Sequence, residues 1–103
     1  MMIAGGDIMK KELIGIAEYT VQTRREVFYY LMTDMKAAST PYGVCVVQHD
    51  PTEFACMRRV WADRDEAVDF ISRLCRGVAM PVTLRDLVRD YEDQQAAARS
   101  CNF

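Results

Sequence analysis

The chain is poor in the residue patterns that hold metals. Its one histidine is His49, and its four cysteines, Cys45, Cys56, Cys75 and Cys101, form no C-x-x-C pair. A zinc site needs three or four convergent ligands, and these spacings do not supply them. We therefore expect no metal, no cofactor and no Cys-His nucleophile. Small reduced thiols and a solvated turn histidine are the favoured interpretation.

Strong charge of one sign and long apolar runs are also missing. The formal net charge is −2 over 103 residues, which argues against a general nucleic-acid binder. No apolar run is long enough to cross a bilayer. Residues 1–8 lack the basic start of a signal peptide. Together with reduced thiols, these absences predict a cytoplasmic protein without a membrane partner.

One domain is expected from this length. We predict a flexible leader at residues 1–8, because Met9-Lys10-Lys11 resembles a natural start. A single domain then covers residues 9–92. Residues 93–103 are predicted to be a fraying tail, since the apolar stripe of the last helix fades after Tyr91.

The clearest helical pattern follows Ala62. Asp63 has the chemistry of an N-cap, and Glu66 completes the spacing of a capping box. Gly77 is predicted to end this helix in the left-handed conformation. One apolar arc, typical of a helix with one buried side, contains Ala67, Phe70, Ile71, Leu74, Cys75 and Val78.

A second helix is predicted after Pro81. Thr83 is the expected N-cap, and Val82 and Leu87 have the spacing of a hydrophobic staple. The apolar stripe consists of Leu84, Leu87, Val88 and Tyr91. The short connection favours two helices that bury their apolar sides against a common surface.

The N-terminal half has the period of strands, not helices. Four strands are predicted, at Leu13–Thr23, Arg25–Thr33, Tyr42–Gln48 and Glu53–Trp61. Strands that precede helices indicate an α+β fold. We expect a four-stranded antiparallel meander sheet followed by two helices packed on one face.

Both alternating sets of side chains in this sheet are bulky. Phe28 and Tyr30 face opposite to Val27, Tyr29 and Leu31. In the last strand, Phe54, Cys56 and Val60 face opposite to Ala55, Met57 and Trp61. The second face is therefore less polar than an exposed sheet face should be. Either the leader or the C-terminal helix covers it, or it binds a second copy or another protein; we favour self-association.

Arginines and aromatic residues give weak candidates for a binding face, namely Tyr29, Tyr30, Arg58, Arg59 and Trp61. Arg58 and Arg59 should point to opposite faces of their strand. Aromatic and Arg side chains on a sheet bind single-stranded nucleic acid in some folds. We favour ion pairs with Glu18, Glu26 or Glu53 instead, and nucleic acid is not the expected partner.

Carboxylates cluster at two places, around Asp63 to Asp69 and around Asp86 to Asp93. Both clusters lie at helix starts or on solvated helix faces, where acidic side chains favour the helix dipole. General acid–base catalysis needs carboxylates in different environments within a cleft. We predict no catalytic residue.

Several segments together resemble a known family. They are Met9-Lys10-Lys11-Glu12-Leu13-Ile14-Gly15, Tyr29-Tyr30-Leu31, Tyr42-Gly43-Val44 and the helix entry from Pro81 to Val88. The chain is similar, from Met9 to Tyr91, to short proteins of clostridial Firmicutes that share a domain of unknown function. The resemblance implies a bacterial, non-secreted protein and transfers no activity.

The function predicted from these observations is a non-enzymatic interaction or regulatory module that self-associates. The alternative is a small-molecule binder or enzyme with a pocket between sheet and helices, near Tyr30, Cys56 and Arg58.

Overall fold

Four antiparallel strands form one sheet in chain order: β1 (Met9–Thr20), β2 (Arg24–Asp34), β3 (Tyr42–Gln48) and β4 (Glu53–Trp61). This is a computed structural model, and it describes residues 9–20, 22–37, 39–49 and 52–100. The predicted leader at residues 1–8 and the last residues of the predicted tail, 101–103, lie outside the described residues. The predicted meander is confirmed, and β3 and β4 have the predicted bounds.

Strand β1 differs most from its prediction. It begins at Met9, not Leu13, because Met9 pairs with Asp34 and the ladder with β2 extends through the charged residues between them. It ends at Thr20, opposite Arg24, so Thr23 belongs to the turn and not to the strand. The register shifts between Leu13 and Gly15, which reverses the alternation of side chains along β1.

The first helix, α1 (Arg64–Arg76), begins as predicted. The Glu66 amide donates to the Asp63 carboxylate at 3.0 Å, so Asp63 is the N-cap. The buried side chains are Ala67, Phe70, Ile71 and Leu74. The predicted apolar arc therefore faces the core.

The end of α1 corrects the prediction for Gly77. Its φ is −88°, and Val78 instead has the left-handed conformation, with φ of 52°. The Ala79 amide donates to the Leu74 carbonyl at 3.0 Å. This hydrogen bond, from the residue after Val78 back into α1, ends the helix one residue later than was predicted from Gly77.

The second helix is α2 (Leu84–Ser100), and a 3₁₀ turn at Pro81–Thr83 precedes it. The predicted N-cap is wrong: the Thr83 hydroxyl donates to the Met80 carbonyl at 3.0 Å, which closes the 3₁₀ turn. The predicted staple is wrong as well, since Val82 is 81% exposed. The helix continues nine residues past Tyr91, to Ser100.

Both helices lie on one face of the sheet, here called the inner face. Its strand residues include Val27, Tyr29, Leu31, Val44 and Val46, all at most 1% exposed. Ile71, Leu84 and Val88 complete this core from the helices. Burial of each such side chain stabilises the fold by about 1.5–3 kcal/mol. The predicted α+β fold with both helices on one face is confirmed.

Candidate interaction surface

The sheet face that points away from the helices, here called the outer face, carries two adjacent apolar rows. Cross-strand pairing places Leu13, Tyr30, Cys45 and Cys56 in one row. The second row contains Ile16, Phe28, Val47 and Phe54. The rows run across all four strands, so the apolar surface is continuous from β1 to β4.

Much of this surface is open to solvent. Leu13 is 46% exposed, Ile16 45% and Phe54 70%. Single exposed apolar residues are common on proteins, but a contiguous group on one face marks an interaction site. The outer face is therefore the strongest candidate for a binding surface among the described residues.

The shifted register of β1 explains why part of this surface was not predictable from the sequence. In a regular strand, Leu13 and Ile16 would point to opposite faces. The shift between Leu13 and Gly15 brings both to the outer face. A bulge of this kind leaves no clear mark in a single sequence. The outer positions Phe28, Tyr30, Phe54 and Cys56, by contrast, follow the alternation that predicted a second apolar face.

A disulfide between Cys45 and Cys56 lies on the outer face, in the first apolar row, where it joins β3 to the edge strand β4. The two residues lie directly opposite on β3 and β4, with their Cα atoms 4.1 Å apart. The prediction of reduced thiols is therefore wrong for this pair, because the turn keeps Cys45 in register with Cys56. Cys75 is a free thiol. The disulfide removes one of the arguments for a cytoplasmic location.

One end of the outer face is basic. Lys11 lies beside the first apolar row, with its Nζ atom 5.2 Å from the centre of the Tyr30 ring. Arg58 and Arg59 reach the Asp34 carboxylate from β4, at 3.4 and 3.0 Å. Asp34 is 4% exposed at its side chain, whereas both arginines are 57% exposed. This end, with Lys11, Arg58, Arg59 and Asp34, is called the basic end below.

The orientation and the ion-pair partners predicted for Arg58 and Arg59 are wrong. They were expected to point to opposite faces and to pair with glutamates, yet both pair with Asp34. The cause is the irregular end of β4, where Arg59 has φ of 59° and the register with β3 shifts. Gly43 permits this close crossing, since a Cβ atom there would collide with the Met57 carbonyl oxygen.

The opposite end of the outer face, called the acidic end below, carries Glu18 and Glu26. Arg24 pairs with Glu18 at 2.8 Å, and both side chains are largely exposed. Glu18 and Glu26 lie opposite each other on β1 and β2. His49 is exposed at this end and packs edge-on against Phe28, with ring centres 5.1 Å apart.

The electrostatics of Asp34 follow from its contacts. The Lys36 amide donates to the Asp34 carboxylate at 3.0 Å, and this bond is the main reason that the Asp34 pKa lies below its usual value. The hydrogen bond from Arg59 lowers the pKa further, against the opposing effect of burial. Asp34 is therefore held as a carboxylate that orients both arginines at the basic end.

Two tyrosines on the helix side, unlike Asp34, have raised pKa values. Burial raises the pKa of Tyr29 well above its ordinary range, and its hydroxyl donates to the Ala79 carbonyl at 2.8 Å. Burial, followed by the hydrogen bond to Glu66, raises the pKa of Tyr91 to about 12. Both hydroxyls are thus protonated donors that hold the helix layer together, and neither is placed to act as a base.

The five residues predicted for a binding face divide between the layers. Tyr30 lies on the outer face, and Arg58 and Arg59 lie at its basic end. Tyr29 is fully buried and Trp61 is 2% exposed, both beneath the helices. The aromatic residues of the outer face that the prediction did not name as site residues are Phe28 and Phe54.

The predicted alternative, a pocket near Tyr30, Cys56 and Arg58, does not lie between sheet and helices, because Tyr30 and Cys56 face away from the helices. A cleft of about 670 Å³ lies elsewhere, along the connection between α1 and α2. Its apolar lining includes Phe70, Leu74, Met80, Leu87 and Tyr91. It is the better candidate for a small ligand.

Within the described ranges, no group of three or more His, Cys, Asp or Glu side chains is placed to hold a metal ion. None of the helices in that part of the chain has the length and apolar character needed to cross a membrane.

Comparison with protein families identifies one match. The model of a family of unknown function, DUF6514, matches residues 10–94, which include all of β1 except Met9, the other three strands, α1 and most of α2. The chain belongs to the DUF6514 family. Comparison with curated proteins and with solved structures gave no significant match. DUF6514 membership agrees with the predicted resemblance to a domain of unknown function and assigns no activity.

Proposed function

We propose that this DUF6514 chain is a non-enzymatic interaction module that self-associates through its outer face. The observation that carries the proposal is the exposure of Leu13, Ile16 and Phe54 on one continuous apolar surface. Burial of such a surface against a partner is favourable by about 25 cal/mol for each Å² of apolar area removed from water.

The distribution of polar groups supports this choice of surface. In the part of the chain that the structure describes, the charged side chains of the outer face lie at its two ends, and the two central rows are apolar. An apolar centre with a polar rim is the usual anatomy of a protein–protein interface. A second copy presents the same apolar surface, so a symmetric pair covers both at once.

Size-exclusion chromatography with light scattering, over a wide range of protein concentration, tests the proposal. The wild-type chain is expected to form dimers as concentration rises. Phe54→Lys places a charge at the most exposed large apolar side chain of the rows and should leave a monomer. The matched control is Leu87→Lys, which adds the same charge to α2, where Leu87 is 36% exposed. This control should dimerise like the wild type.

A wild-type chain that stays monomeric at every concentration contradicts the proposal. So does a Phe54→Lys variant that dimerises as well as the wild type while Leu87→Lys does not, because the helix layer is then the contact surface. Circular dichroism of both variants verifies that each is folded, so loss of dimer is not mistaken for loss of fold.

The cleft beside α1 and α2 supports a second candidate, the binding of a small apolar ligand. Its volume of about 670 Å³ lies within the range of ligand pockets, and most of its lining is apolar. A hydrophobic fluorophore should then bind the wild type and Phe54→Lys with equal affinity. It should bind Leu87→Lys more weakly. The opposite ranking assigns the fluorophore to the outer face and removes this candidate.

The cytoplasmic location stays a prediction. Titration of accessible thiols in protein purified under non-reducing conditions, compared with the same protein after reduction, measures the state of Cys45 and Cys56. If Cys45 and Cys56 are reduced in the purified protein, the result supports a cytoplasmic location. An intact disulfide supports an oxidising compartment.

A further inference from the structure

The charges at the two ends of the outer face determine how a second copy docks. We infer that the two copies pack outer face to outer face with their strands antiparallel, so that the basic end of each lies over the acidic end of its partner. This inference rests on the proposed self-association and adds its orientation. The occupant is thus a second copy of this chain in one arrangement.

When two such faces pack with their strands aligned, symmetry leaves two arrangements. In a symmetric pair of packed faces, the two-fold axis lies in the plane of the interface. If the axis runs along the strands, each end of one copy meets the same end of the other. If the axis runs across the strands, between the two apolar rows, each end meets the opposite end.

Charge separates these two possibilities. Among the described residues of the basic end, Lys11, Arg58 and Arg59 outnumber the carboxylate of Asp34, which both arginines already contact. At the acidic end, Glu18 and Glu26 outnumber Arg24. An axis along the strands would bring Lys11 near the arginines of the partner. An axis across the strands instead brings Lys11 over the partner's acidic end, where opposite charges attract.

The register of β1 and β2 indicates which carboxylates Lys11 meets. The axis across the strands places Lys11 over the partner's Glu18, since both positions lie on β1. Glu26 is the cross-strand neighbour of Glu18 on β2, so the partner presents both carboxylates on this side of the interface.

Charge reversal tests the orientation. Lys11→Glu should weaken dimerisation about tenfold at low salt, because an attraction becomes a repulsion at two symmetric places. The pair Glu18→Lys and Glu26→Lys should weaken it similarly. The triple variant restores the attraction with reversed signs and should return to within about threefold of the wild type. All effects should shrink at high salt, since the charges are exposed.

Arg89→Glu is the matched control, because it changes the net charge as Lys11→Glu does but lies on the exposed side of α2. It should leave the dimer unchanged. Sedimentation equilibrium measures the dissociation constants, and thermal unfolding of each variant verifies the fold.

The outcomes separate the two proposals. A wild-type monomer removes self-association and the orientation together. A wild-type dimer whose charge reversals do not compensate in the triple variant removes the orientation and leaves self-association standing. A tighter dimer for Lys11→Glu also overturns the inference, because relief of repulsion between Lys11 and the partner's arginines assigns the axis along the strands.

Discussion

The two faces of one sheet differ in what covers them, although both are apolar. On the inner face, Leu31 and Val46 lie beneath two helices and are at most 1% exposed. On the outer face, Ile16 and Phe54 come from strands of the same sheet and are 45% and 70% exposed. Apolar character alone therefore does not identify the core of this domain. The helices decide which face forms the core of the monomer, and the other face has no helix packed on it.

Truncation of one apolar side chain on each face tests this comparison, and it has the largest expected effect on the free energy of unfolding. Leu31→Ala removes a side chain that is 1% exposed and should cost about 2–5 kcal/mol in the free energy of unfolding. Phe54→Ala should change it by less than about 0.5 kcal/mol at dilutions where the chain is monomeric. Urea denaturation measures both. Equal costs would show that the outer face also stabilises the monomer, against the division proposed here.

The disulfide is the exception to the division, since it lies on the outer face and yet links two strands. Reduction of Cys45–Cys56, which are 11 positions apart, should lower the free energy of unfolding by about 2–3 kcal/mol through the larger entropy of the unfolded chain. Denaturation with and without reductant measures this change. The double variant Cys45→Ser and Cys56→Ser is the control and should be insensitive to reductant. Superimposable wild-type curves would contradict the prediction.

A smaller effect is expected where the inner face makes a polar contact. Tyr29→Phe removes the hydroxyl that donates to the Ala79 carbonyl at 2.8 Å and leaves that carbonyl without its partner. The expected cost is about 1–2 kcal/mol. Tyr30→Phe, the same change on the outer face, is the matched control and should cost less than about 0.5 kcal/mol. If both variants lost the same free energy of unfolding, the hydrogen bond to the Ala79 carbonyl would not stabilise the fold.

The order of elements was predictable because the patterns of two and 3.6 residues are local. The β3 and β4 bounds and the Asp63 cap follow from alternation and from cap chemistry. The second apolar face was also predictable, since Phe28 and Phe54 are out of phase with the core set. What failed depends on contacts between distant residues: the register shift that turns Leu13 outward, and the pairing that makes Asp34 part of β2.

The candidate site was predictable only in part for the same reason. Tyr29 and Tyr30 are indistinguishable by composition, and only the position of the helices decides which one is buried. Arg58 and Arg59 were expected on opposite faces because regular strands alternate. The positive φ of Arg59 breaks that rule locally and brings both side chains to Asp34. Helix ends were similarly uncertain, since Val78 and not Gly77 takes the left-handed conformation.

The smallest expected effect concerns charge at the basic end. The Asp34 pKa lies below its ordinary value of 3.8, mainly because the Lys36 amide donates to it. A depressed folded-state pKa means that the stabilisation is present above the unfolded value and is lost as pH falls through the folded value. Asp34→Asn should therefore be less stable than the wild type at pH 7, and the gap should close below about pH 4. Asp69→Asn, which breaks the exposed pair with Arg73, is the control with a gap of a few tenths of a kcal/mol. The difference in stability between Asp34→Asn and the wild type could instead stay constant into the acid range. Its cause would then be lost packing and not lost charge, and the Asp34 carboxylate would not be what orients the two arginines that the proposed partner meets.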